Sequence, residues 1–110
     1  MSFFLNEHDG THTLQLVAGM TAVDGAIEEA GHEPNGYFWE GVAMLLVASR
    51  APALDGRFEY DSEGGTFVAH GPDKSALEEL RALMATVAND PRELNAIIAL
   101  AAKRGFQFDD

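Results

Sequence analysis

Thr11 to Val17 alternate along the chain, with His12, Leu14 and Leu16 on one side and Thr13, Gln15 and Val17 on the other. A period of two, rich in threonine and branched side chains, predicts a half-buried strand. The apolar run Phe3–Leu5 precedes it across a turn-rich stretch, Asn6-Glu7-His8-Asp9-Gly10, so the two are expected to pair as a hairpin. A second hairpin is predicted further on. Arg57–Asp61 puts Phe58 and Tyr60 on one face and Arg57, Glu59 and Asp61 on the other, and Thr66–His70 returns after Ser62-Glu63-Gly64-Gly65.

Elsewhere the period is helical. Thr21 to Ala30 reads as a short amphipathic helix, with Thr21 as its cap and Gly31 as its stop. Lys74 to Ala88 carries Leu77, Leu80, Leu83, Met84 and Val87 on one stripe, with Glu78, Glu79 and Arg81 opposite. Asp90-Pro91 starts a last helix lined by Leu94, Ile97, Ile98 and Ala101, which ends at Lys103-Arg104-Gly105. Phe106-Gln107-Phe108 then adds an edge strand or packs back on the core.

The stretch Asn35 to Arg50 organises the rest. It holds the only tryptophan and, between Gly36 and Ser49, a single charge, Glu40. Trp39, Val42, Ala43 and Leu46 fall on one helical face, and Phe38, Gly41, Leu45 and Ala48 on a second. An element apolar on both faces needs a sheet on one side and helices on the other. The expected core is therefore Tyr37, Trp39, Leu46, Phe58 and Phe67. The order of elements predicts an α+β fold: a small antiparallel sheet from two hairpins, packed against this central buried helix and two C-terminal helices. One domain over residues 1–110 accommodates all of it.

Composition narrows the function classes. Hydrophobic residues are 46% and charged residues 23%, as in globular domains. No apolar run approaches the roughly 20 residues of a membrane span. The N-terminal residues lack the pattern of a secretion signal, so the expected compartment is the cytoplasm. Zero cysteines exclude thiol chemistry and cysteine-ligated zinc. A formal net charge of −11 disfavours nucleic acid and anionic membrane as partners, and favours a basic one.

Candidate chemistry is sparse. His8, Asp9 and His12 lie close in sequence, but a turn separates the two histidines, and i, i+4 spacing brings ligands together only on a helix. Asp61, Ser62, Glu63 and His70 supply the residue types of a hydrolytic triad without its geometry. No phosphate-binding glycine loop or nucleophile elbow is present. No catalytic residue, metal or cofactor is therefore expected. Glu59, Asp61 and Glu63 instead form a row of like charge at alternate strand positions, and Glu40 sits just past the first turn of the central helix. A carboxylate near a helix start is also favoured by the dipole alone, and a charged strand face by solvent alone. The functional alternative is a docking patch for a basic protein.

Two motifs carry a resemblance. Gly36-Tyr37-x-Trp39-Glu40-Gly41-Val42-Ala43, followed by the hairpin Phe58-Glu59-Tyr60-Asp61-Ser62-Glu63-Gly64-Gly65-Thr66-Phe67-Val68-Ala69-His70-Gly71, resembles the immunity protein 51 family of bacterial polymorphic toxin systems. The likeness runs from about Thr13 to Ala101. It implies a small cytoplasmic protein that binds and neutralises a cognate toxin without catalysis. A basic nuclease toxin would suit the charge. The competing expectations are a homo-oligomeric ligand-binding or scaffold module, with Tyr37 and Trp39 at a pocket or seam, and a small histidine–carboxylate enzyme.

Overall fold

The computed structural model describes residues 3–110. In chain order the elements are β1 (Phe3–His8), β2 (Thr11–Val17), α1 (Asp24–Glu29), α2 (Gly36–Arg50), β3 (Glu59–Tyr60), β4 (Thr66–Gly71), α3 (Lys74–Ala88) and α4 (Pro91–Arg104). A single 3-10 turn, Pro52–Leu54, follows α2. The fold is α+β. Its one sheet has four antiparallel strands in the order β1-β2-β4-β3.

Strand β2 is central because its alternation fills one face completely. Leu14 and Leu16 pair with Ala69 and Phe67 of β4, and all four are fully buried. Phe3 and Leu5 of β1 extend the same row, opposite Leu16 and Leu14. Helices α2 and α3 pack on this side, α2 against β4 and α3 against both central strands. Phe4, Gln15 and Val68 share the opposite face, where Phe4 is half exposed.

The first hairpin turns more tightly than the sequence suggests. Strand β1 runs on to His8, and the turn shrinks to Asp9 and Gly10, with φ of 50° and 79°. Two successive left-handed residues are what an Asp-Gly type I′ turn requires. Thr21 also plays a different part. Its hydroxyl donates to Asp24 at 2.6 Å and accepts the Val23 amide, so it shapes the turn before α1 and does not cap the helix.

Helix α2 begins where Asn35 Oδ1 accepts the Phe38 amide at 2.9 Å. Phe38, Trp39, Val42, Ala43 and Leu46 are fully buried beneath the sheet and helices. Burial is nevertheless not continuous around the helix. Tyr37, expected in the core, is 41% exposed, and Met44 is 44% exposed. With Glu40 and Ala48, these residues recur every three or four positions and form one solvent-facing stripe. The apolar character of that stripe is not explained by the core. Phe58, also expected inside, is only partly buried, because β3 is an edge strand.

The segment after α4 packs back and forms no strand. Phe108 stacks on Phe38 at 4.6 Å between ring centroids, and its edge meets His32 at 5.0 Å. The Asp110 carboxylate accepts the Glu33 amide at 2.8 Å and lies 3.1 Å from His32 Nδ1. The tail thus ties α4 to the loop ahead of α2.

Candidate functional site

Strand β3 is shorter than its pattern promised, and Ser62 is the reason. Glu59 pairs with His70 and Tyr60 with Ala69, and the Asp61 amide still donates to Val68 at 2.9 Å. The Val68 amide, however, donates to Ser62 Oγ at 3.0 Å instead of completing that rung. Pairing resumes beyond the gap, where Glu63 and Thr66 exchange backbone bonds around Gly64 and Gly65. Register is kept throughout, so Glu59, Asp61 and Glu63 remain at alternate positions, opposite His70, Val68 and Thr66. All three acids are exposed. They follow the sheet face that turns away from the helices.

The hairpin tip docks on the first turn of α2. The Gly36 amide donates to the Gly64 carbonyl at 3.0 Å, and a Cβ at Gly36 would sit 1.9 Å from the Glu63 carbonyl oxygen. Only glycine allows this approach. Gly41, one turn on, leaves room for Phe108 and Phe106 in the same way. Both glycines of the Gly-Tyr-x-Trp-Glu-Gly motif are therefore close-packing positions, a role the hydrophobic pattern does not reveal.

Glu40 lies on the other side of β3. Its carboxylate and that of Asp55 both act on the Tyr60 hydroxyl, which is already partly desolvated. Burial first, then these two charges, raise the tyrosine pKa well above its ordinary value of 10.0. Below it opens a cleft of about 300 Å³ lined by Met44, Val47, Ala48, Pro52, Asp55 and Tyr60. The sequence pattern marks Pro52-Ala53-Leu54-Asp55-Gly56 only as the end of a helix and gives Asp55 no role. The available signal was Gly56, whose φ of 81° turns the chain and leaves Asp55 at the cleft.

None of these acids enters an ion pair among the described residues. Among the described residues the ion pairs join His8 to Asp9, His32 to Asp110, Arg50 to Glu93 and Arg57 to Asp73. Arg57, the one cation of the β3 segment, is thus drawn off to the start of α3. The histidines do not converge either. His8 pairs with Thr11 and His12 with Glu7, which puts the two imidazoles on opposite faces of the sheet. The described residues contain no group of three histidines or carboxylates placed to hold a metal.

The Tyr60 environment makes a testable statement about alkali. A raised pKa means that the folded state resists ionisation, so stability holds up to the ordinary tyrosine value near pH 10. It then falls as pH rises towards the raised value, because only the unfolded chain ionises. The midpoint of urea unfolding should drop between about pH 9 and about pH 11, and drop less in Tyr60→Phe. Equal drops in both proteins would contradict the assignment.

Geometrically, exposed carboxylates lie on both sides of a short edge strand, beside a cleft lined mainly by apolar residues. Among the described residues no helix is long and apolar enough to cross a membrane. Comparison with known proteins gives no match among curated proteins and none among solved structures. The family model for immunity protein 51, in contrast, matches residues 3–103. With nearly the whole chain covered, and the two motifs placed side by side at the α2–hairpin junction, the chain belongs to the immunity protein 51 family.

Proposed function

We propose that this immunity protein neutralises a cognate toxin by stoichiometric binding, without catalysis of its own, and that the toxin docks on the acidic edge around β3. The observation that carries this reading is the set Glu40, Asp55, Glu59, Asp61 and Glu63, which flanks one edge strand and joins none of the ion pairs found among the described residues. An isolated surface carboxylate is of little consequence, but a cluster of one sign sets up a field that draws in a basic partner. A nuclease domain of a polymorphic toxin, whose phosphate-binding surface must be basic, is the partner that suits it best. Occupying that surface would block the substrate directly. Binding of this kind is expected inside the producing cell, in the cytoplasm.

The hairpin acids supply the test. Glu59, Asp61 and Glu63 are exposed, so changing all three to lysine should leave the circular dichroism spectrum unaltered. Association with the toxin should slow by at least about tenfold, and its salt dependence should become shallower. Cells expressing toxin and triple variant should lose protection. Full protection with unaltered affinity would move the interface away from the hairpin.

A further inference from the structure

We propose that the cleft between α2 and β3 receives an arginine side chain of the toxin and anchors the docking surface. This rests on the reading that the chain binds a basic toxin, and it adds which part of that toxin is gripped and where. Two observations carry it. First, the cleft is lined by the apolar Met44, Val47, Ala48 and Pro52 together with Asp55 and Tyr60, and Glu40, outside the lining, lies one turn before Met44. Second, Met44 and Tyr37 are 44% and 41% exposed on the solvent stripe of a helix that otherwise faces the core. Methionine and tyrosine are enriched where protein partners meet.

Complementarity then selects the occupant. A neutral apolar side chain would satisfy the apolar lining and leave Asp55 to be desolvated without a partner, which is costly. A carboxylate would be repelled. A long cationic side chain meets both requirements, with its methylene stem on Met44 and Pro52 and its charged head at the carboxylates. Arginine fits better than lysine. Its planar guanidinium is weakly hydrated, bonds carboxylates in pairs and stacks on aromatic rings such as Tyr60. Glu40 and Asp55 both push the Tyr60 hydroxyl upward, so both carboxylates lie within electrostatic reach of it. The Asp55 amide donates to the Pro52 carbonyl at 3.2 Å, so the turn that presents this carboxylate is already formed.

The experiment has two arms on the full chain. In one, the isotope-labelled protein is titrated with the peptide acetyl-Gly-Arg-Gly-amide and with its neutral norleucine counterpart, followed by NMR. The arginine peptide is expected to shift the amide signals of Met44, Ala48 and Asp55, and the norleucine peptide to leave them in place. In the other, toxin affinity is measured for Met44→Lys, Asp55→Asn and, as a control on α3, Glu78→Gln. Met44→Lys fills the cleft with a cation and should weaken binding about a hundredfold, the scale of an interface hot spot. Asp55→Asn should weaken it about tenfold, and Glu78→Gln should match wild type. If wild type binds its toxin and both cleft variants bind equally well, the cleft assignment falls and the docking reading stands. Peptide shifts that miss the cleft, or that are equal for norleucine, overturn it as well. If wild type binds no toxin at all, the docking reading falls and takes the cleft with it.

Discussion

Replacing Gly36 with alanine is expected to cost the fold about 3 kcal/mol, the upper end of what overpacking usually does. The added Cβ would stand 1.9 Å from the Glu63 carbonyl oxygen, 2.4 Å from the Thr66 oxygen and 2.7 Å from the Thr66 carbonyl carbon. These are backbone atoms of a paired hairpin, so no side chain can swing aside to relieve the clash. The tip must lift, and the Gly36–Gly64 hydrogen bond must stretch with it. Because Glu63 sits on that tip, toxin affinity should fall together with stability. Gly64→Ala is the natural control, since a Cβ there meets nothing within 4 Å. It should stay within about 0.5 kcal/mol of wild type, as most surface changes do. Urea unfolding of the two variants makes the comparison. Equal midpoints would mean that the helix and hairpin do not depend on this contact.

Phe38→Ala should be at least as damaging, with a loss of roughly 3–5 kcal/mol. Phe38 is fully buried and touches three other rings: Phe108 at 4.6 Å, His32 at 5.4 Å and Trp39 at 5.9 Å. The deletion leaves a cavity and also unseats the tail, since Phe108 loses the ring on which it stacks. Hydrogen exchange tests this second effect separately. The Glu33 amide, protected by the Asp110 carboxylate, should exchange far faster in the variant than amides at the centre of β2. Uniform acceleration across the chain would instead mean global loss of stability with the tail still docked.

Much of this fold is legible because its patterns are local. The alternation of β2, the apolar stripe of α3, and the Asp90-Pro91 start of α4 each need only a few neighbouring residues to be read, and all three stand as expected. Tyr37 misled because apolar residues serve both cores and interfaces, and periodicity alone cannot tell the two apart. The shortness of β3 depends on one side-chain hydroxyl, Ser62, competing with the backbone for Val68. Asp55 joins Glu40 and Tyr60 only through the tertiary packing of a turn on a helix. The acidic hairpin row could be read from its period of two. Its relation to Glu40, on the opposite side of the same edge strand, could not.

The central pairing of β2 with β4 joins Leu14 to Ala69, 55 positions further along the chain. At a ribosomal pace of about 5–20 residues per second, that partner arrives roughly 3–11 seconds after Leu14 has been made. Until then the β1–β2 hairpin is a two-stranded ribbon with Leu14 and Leu16 facing water, and such a ribbon is marginal by itself. The sheet therefore cannot assemble during synthesis of its first half. It closes only after the second hairpin has emerged, in one non-local step of the kind that slows folding to milliseconds or seconds. Protection would thus begin only after the chain has been translated beyond Gly71, the end of β4.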